Sequence, residues 1–334
     1  MSEIIYDYEL GWKAETTLGT NSNGAYTALI AADTCYKFGD INKLVSIRPE
    51  MTKTPFFKMN QRYRQDLSIG KFIVTTTIPF GLTSGIPFYW ALGKSTDGTD
   101  GSVKTHTISG IDPTENLPSF VIHYEGKDKN DTSNYYTDVY GSRVNNFNLN
   151  ANIYRNDVQC IMDIISQDME HDGNSVALTN SPNYKDTSTN SVFLFNKGTY
   201  TYDEGGGGDE DLDQIYAFNM SITNNIEPIW VDQVSDKIRA KYLRPFNRII
   251  TWSYGILLKD GMLIDEVRSS TEKDLEINFE RTDSDDNIII TLSDVIVKSA
   301  PIQVPELGEK NAFVVGGTAK DCSVAVRDAI AAYP

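Results

Sequence analysis

A chain of 334 residues, 40% hydrophobic and 23% charged, is long enough for one large all-β domain or two ordinary ones and too apolar for wholesale disorder. Its 46 acids against 30 bases leave a formal net charge of −16, a surface that repels phosphate and argues against binding nucleic acid by neutralising its backbone. The 18 Tyr and 14 Phe, with many Thr and Ile, favour pleated, half-buried surfaces over helices.

Residues 1–24 combine few apolar runs with several Gly and Thr and read as an extended N-terminal arm, ahead of a single domain over 25–334. GWKAETTLGT (11–20) is turn-rich and polar with one Trp. The start of the chain has no basic flank or apolar run of signal-peptide type, and no stretch approaches the roughly 20 apolar residues of a membrane helix, so folding without a membrane is expected. The basic, aromatic RPEMTKTPFFKMNQRYRQD (48–66) fits no element of the pattern.

GKFIVTTTIPF (70–80) is the first clear strand. Phe72, Val74, Thr76 and Ile78 share one face, and the β-branched run Val74 to Thr77 disfavours helix. TSGIPFYWALGKS (83–95) predicts a short helix, with Ser84 as cap, Pro87 in the first turn and Gly93 at the end. From 103 to 170 the chain reads as strands: VKTHTI, SFVIHYEG, YYTDVYG, RVNNFNLNANIYR and VQCIMDIISQ. In the fourth, Val144, Phe147, Leu149, Ala151 and Ile153 share a face once a bulge at Asn145–Asn146 restores the register. Gly141 and Gly173 sit at expected turns.

Residues 171–213 change character, and predict a flexible, exposed insertion. TYDEGGGGDEDLD places six acids between Asp203 and Asp213 with no base among them. Strands then resume: IYAFNMSITN, EPIWV, RIITWSYGILL, DLEINFER, NIIITLSDVIVKS and AFVVGG. In the first, Tyr216, Phe218, Met220 and Ile222 share one face. Asp260–Gly261 predicts a turn, GMLIDEVRSS (261–270) a short helix, and SVAVRDAIAAY fits helix and strand alike. The sum is ten to fourteen strands and one or two short helices, an all-β sandwich or barrel. No tandem repeat of 20–50 residues is present. A faint internal similarity between RVNNFNLNANI (143–153) and AFNMSITNNIEPIW (217–230) would fit two related half-barrels.

The chemistry of catalysis is sparse. His106, His123 and His171 show no HxH or HExxH spacing and read as structural or surface histidines. Cys35, Cys160 and Cys322 lie far apart without CxxC spacing, as expected of small buried hydrophobes in a reduced compartment. No GxSxG or Walker-type loop occurs, and Gly205–Gly208 lie between acids that repel phosphate. Asp203, Glu204 and Asp209 in one acidic loop, and Asp283 and Asp285 in another, could hold Ca²⁺ or Mg²⁺. They match no EF-hand or nonapeptide calcium repeat, so solvated loops are the simpler reading. No metal, cofactor or enzymatic activity is expected.

Taken in order, GWKAETTLGT, GIPFYWALG, YGSRVNNFNLNANIYRNDVQCIMDIIS, FNMSITNNIEPIW, RIITWSYGILL and NIIITLSDVIVKSAP followed by GEKNAFVVGGTAKD resemble the major tail tube proteins of tailed bacterial and archaeal viruses. The insertion at 171–213 and the stretch 48–66 depart from that pattern. The resemblance implies a tail-tube-type β-sandwich or half-barrel that completes a barrel by oligomerisation, with arms or loops such as 1–24 and 43–66 bridging rings. It implies homo-oligomeric rings, usually hexamers, stacked into a virion tail tube assembled in the host cytoplasm. Partners would be tape measure, tail terminator and baseplate or tip proteins, with a sheath if the tail contracts. Viral DNA would pass through the lumen on ejection without specific binding. An acidic lumen would let it slide, with Asp157, Asp163, Asp168 and Glu170 as lumen-facing candidates, or else as acids of an outer solvated face. Two other readings stay open. One is a different virion or contractile-injection component, such as a capsid decoration protein. The other is a carbohydrate-binding or glycoside-cleaving β protein using Trp12, Trp90, Trp230 or Trp252, of which Trp90 and Trp252 are expected to be buried.

Overall fold

In the computed structural model, the described residues are 7–15, 34–37, 41, 45–52, 54–56, 66–68, 70–100, 103–112, 115–127, 134–171, 183–185, 191–203, 209–211, 215–234, 237–257, 273–281, 286–299, 312–328, 330 and 333. Among them the chain is nearly all β, as its composition predicts, with a single helix. The first strands are β1 (Asp7–Ala14), β2 (Thr34–Lys37), β3 (Ser46–Met51), β4 (Thr54–Phe56), β5 (Asp66–Ser68) and β6 (Lys71–Gly81), followed by α1 (Ile86–Leu92). Next come β7 (Gly93–Asp100), β8 (Val103–Gly110), β9 (Phe120–Lys127), β10 (Asn134–Asn152), β11 (Gln159–Ser166), β12 (Asp168–His171) and β13 (Asn183–Lys185). Then follow β14 (Leu194–Asp203), β15 (Asp209–Asp211), β16 (Ile215–Thr223), β17 (Glu227–Val234), β18 (Lys237–Arg244) and β19 (Ile249–Leu257). The last are β20 (Lys273–Glu280), β21 (Asn287–Ser299), β22 (Ala312–Ala319) and β23 (Asp321–Asp328).

Three sheets share one core. The central sheet runs β3–β6–β11–β10–β16–β19–β22–β21. A second runs β13–β2–β1–β9–β10–β12 and a third β15–β14–β20–β21–β23–β8–β7. The β17–β18 hairpin joins the central sheet through a short parallel pairing, Ile238 and Arg239 against Lys71 and Phe72. Traced ladder by ladder, these sheets branch and never return on themselves, so among the described residues the sheet stays open rather than closing into a barrel.

Two long strands change sheet midway, and each does so at a left-handed residue. In β10 it is Gly141, with φ 63°, where a Cβ would lie 2.4 Å from Gln167 Oε1. In β21 it is Asp294, with φ 50°, whose N–H donates to Asp274 Oδ1 at 3.0 Å. Gly141 therefore bends a continuous strand: YYTDVYG and RVNNFNLNAN are one element, not two strands separated by a turn. The bulge expected at Asn145–Asn146 is present, as a register shift between Val144 and Asn146. Ile153 lies beyond the strand end and is exposed, not in the core row.

α1 forms where expected. Pro87 stands in its first turn, and Gly93 (φ 105°) caps it by donating its N–H to Tyr89 O. The N-cap is Gly85 rather than Ser84, without a side-chain cap. The approach of Val326 Cγ2 and the Tyr333 hydroxyl leaves no room there for a Cβ, and the Gly85 N–H donates to the Tyr333 hydroxyl at 2.9 Å.

Other expectations are corrected. Residues 7–14 of the expected arm are strand β1, paired along its whole length with β9 and burying Leu10 and Trp12. Within the expected loop at 171–213, Leu194–Asp203 is β14, a strand of the third sheet that buries Phe195, Tyr200 and Tyr202 in the shared core. Part of the unassigned stretch 48–66 pairs as β3 and β4. SVAVRDAIAAY resolves as strand through Asp328. Tyr216 is only half-buried, because the register against β19 slips between Ile215 and Ala217. Gly173, the Asp260–Gly261 turn and the helix over 261–270 fall outside the described residues.

Candidate functional site: the open face of the central sheet

Alternation along the central strands sends one set of side chains inward. Val74 and Ile78 on β6, Met162 and Ile164 on β11, Phe147 and Leu149 on β10, Phe218 and Met220 on β16, and Trp252 and Tyr254 on β19 are buried. The intervening residues form the opposite face. They are Thr75 and Thr77, then Asp163, then Asn146, Asn148 and Asn150, then Asn219, Ser221 and Thr223, then Thr251 and Ser253, aligned by the strand register. Gly316 and Thr318 on β22 continue the row. Ile161, Ile249 and Val314 are partly exposed apolar members of the same face.

These polar groups largely satisfy one another. The Thr77 hydroxyl donates to Asp163 Oδ1 at 2.8 Å and Asn146 Nδ2 donates to Asp163 Oδ2 at 3.3 Å. Asn146 Oδ1 in turn accepts from the Ser221 and Thr223 hydroxyls, both at 3.0 Å. Asn150 donates to Asn219, and Asn152 Nδ2 donates to Asn150 Oδ1 at 2.9 Å. The result is a flat carpet of amides and hydroxyls. Its one carboxylate across β6, β11, β10, β16 and β19 is Asp163, and both oxygens of Asp163 accept hydrogen bonds from neighbours on the face.

Toward Ile165 this face is covered. The β17–β18 hairpin folds over it and seals Leu117, Ile226, Ala240 and Leu243 in a second apolar cluster. Arg143 is buried beneath, donating to the Leu243 carbonyl and, at 3.4 Å, to Asn116 Oδ1. Burial pulls its guanidinium down to about 10.

The acids proposed from sequence do not form one constellation. Asp163 lies on the open face. Asp157, in the β10–β11 connection, accepts from Gln159. Asp168 is buried, accepting from the Tyr140 hydroxyl at 3.0 Å and facing Arg239 at 3.8 Å, so it belongs to an interior ion pair and not to a solvated wall. Burial and the Asp168 carboxylate push the Tyr140 hydroxyl well up. Glu170 is half-buried on β12, opposite Asp138 in the second sheet. Asp203 and Asp209 oppose each other across β14 and β15, while Glu204, Asp283 and Asp285 fall outside the described residues. Among the described residues no group of three metal-ligating side chains forms, and no helix is long and apolar enough to cross a membrane.

The histidine chemistry is closed in. His106 Nδ1 meets Asp97 Oδ1 at 2.7 Å, and its Nε2 meets the Ile330 carbonyl at 2.9 Å and Asp328 Oδ1 at 3.3 Å. The ring stacks on Tyr333 with centroids 3.9 Å apart, and the Tyr333 hydroxyl donates to Asp328 Oδ2 at 2.6 Å. Desolvation raises the Asp97 carboxyl, but hydrogen bonds from His106, the Tyr333 backbone and Ser95 outweigh it and hold the group below the usual carboxylate range. Burial and Asp328 push the Tyr333 hydroxyl well up. This network ties residues 330 and 333 to β7, β8 and the start of α1 and offers no nitrogen to a substrate. His123 is likewise buried, against Asp138. The thiols of Cys160 and Cys322 are buried, and burial pushes Cys322 up to about 12. Of the four Trp, Trp12, Trp90 and Trp252 are buried, and Trp230 is half-buried beneath Lys71. Sequence reasoning did not find the open face, although the polar partners of each apolar alternation were its signal. No protein-family model matches the chain, and no curated protein matches it significantly.

Proposed function

We propose that the chain is a structural subunit of a viral tail tube, assembling into stacked rings around a channel for DNA, with the open face of the central sheet as the channel lining. The observation that carries this reading is the self-paired carpet of Asn, Ser and Thr around Asp163. Across β6, β11, β10, β16 and β19 this surface is chiefly amide and hydroxyl, its cations stand at the margin as Arg48 opposite Thr75 and Lys71 at the start of β6, and the net charge of −16 adds long-range repulsion, so a duplex would slide past without sticking. The lining is then neutral and amide-rich rather than acid-lined. The open sheet supports the same reading, since unpaired strand edges invite pairing with further copies. Tape measure, terminator and baseplate or tip proteins would be the remaining partners. Negative-stain electron microscopy of the purified protein tests it. Tubes or stacked rings with a channel wide enough for a DNA duplex are expected, and discrete solid particles or a persistent monomer would overturn it.

A further inference from the structure

The β17–β18 hairpin carries surface that the fold itself does not use. Val231 is 64% exposed, Tyr242 52% and Phe246, just past the hairpin, 62%. Cations interleave with these aromatics. Lys71 Nζ stands 5.3 Å above the Trp230 ring, Lys241 Nζ lies 5.9 Å from the Tyr242 ring, and Arg244 is exposed beside them. Glu227 faces Arg244 across the ladder. In a chain of net charge −16, residues 227–244 carry four bases against three acids, so this segment is close to neutral and Lys241 and Arg244 stand out on it.

The complementary surface lies on another sheet. Along β20, Leu275, Ile277 and Phe279 are fully buried, and alternation turns Asp274, Glu276 and Glu280 outward as an exposed acidic row. We propose that the hairpin of one copy docks on the β20 row of the next. Tyr242, Phe246 and Val231 would supply the anchoring area, while Lys241 and Arg244 set register against Glu276 and Glu280. A contact between two distinct patches that repeats from copy to copy is heterologous, and such a contact builds a ring or stack. The inference rests on the reading of the chain as a self-assembling tube subunit. A basic, aromatic patch also suits single-stranded nucleic acid, but Glu227 and the overall charge oppose phosphate, whereas the acidic row is present in every copy.

Charge exchange tests it. Lys241→Glu with Arg244→Glu, and separately Glu276→Lys with Glu280→Lys, should each weaken assembly by about tenfold or more, read by sedimentation velocity. All four substitutions in one chain should restore it. Circular dichroism and thermal melting establish that each variant folds, and Tyr242→Ser with Phe246→Ser, which leaves charge untouched, should weaken assembly independently. Tubes indifferent to the reversals would overturn the interface and leave the tube reading standing. Non-tubular oligomers that follow the exchange would keep the interface and overturn the tube reading. Failure of the fourfold variant to recover, with all variants folded, would overturn the interface. So would single-stranded DNA binding that Lys241→Glu with Arg244→Glu abolishes while assembly is unchanged.

Discussion

The two faces of the central sheet are built from the same strands, one of them almost wholly apolar and the other mostly amide and hydroxyl. On one, Phe147, Phe218, Met162 and Trp252 interlock with the rest of the core. On the other, one residue along each strand, Asn, Ser and Thr pair among themselves. The backbone is common, so the difference comes entirely from the period-two alternation of the sequence. Stability resides in the first face, and the second is left free to be selected for what touches it.

The sharpest way to break that division is to truncate the inner face. Phe218 is fully buried and its ring lies 6.2 Å from Tyr200 and 6.5 Å from Phe279. Phe218→Ala should cost about 3–5 kcal/mol in denaturant unfolding, and a loss under about 1 kcal/mol would show that the face is not a packed core. Next in size is the joint between sheets. Gly141→Ala forces a Cβ into Gln167 at a positive φ and should cost about 1–3 kcal/mol by the same measurement.

Alkali probes the interior differently. Tyr140, Tyr200 and Tyr333 all have folded-state values raised above the ordinary 10.0, chiefly by burial. Their neutral forms therefore contribute stability that is complete below that value and drains away as pH rises through the raised ones, because the unfolded chain loses these protons first. Ultraviolet absorbance should show these tyrosines ionising only together with loss of circular dichroism; smooth ionisation in an intact fold would contradict their burial. Smallest is the open face itself, where Thr251→Ala should change stability by no more than about 0.5 kcal/mol.

Much of this was legible from residues alone. KFIVTTTIPF, QCIMDII and AFNMSIT carry alternation strong enough to declare strand and face together, and Pro87 and Gly93 bracket α1. β7 was not legible: GKSTDGTD has no apolar residue and is a strand only because β8 pairs with it. β14 hid its Tyr200 and Tyr202 alternation in a polar, acidic neighbourhood, and Trp12 hid in a stretch that reads as turn. For the site, each strand announced its polar residues, but their adjacency depends on ladders joining segments as distant as Thr77 and Asp163, or Asn146 and Thr223. The burial of Asp168 depends on Arg239, which no local pattern reveals.

The bond from the Gly85 N–H to the Tyr333 hydroxyl spans 248 positions of sequence. During synthesis the start of α1 and the ring of His106 must wait until Tyr333 has left the ribosome before their partner exists. Sealing of this corner therefore follows synthesis of every strand before residue 333, and a nascent chain arrested ahead of it would hold this part of its interior unsealed.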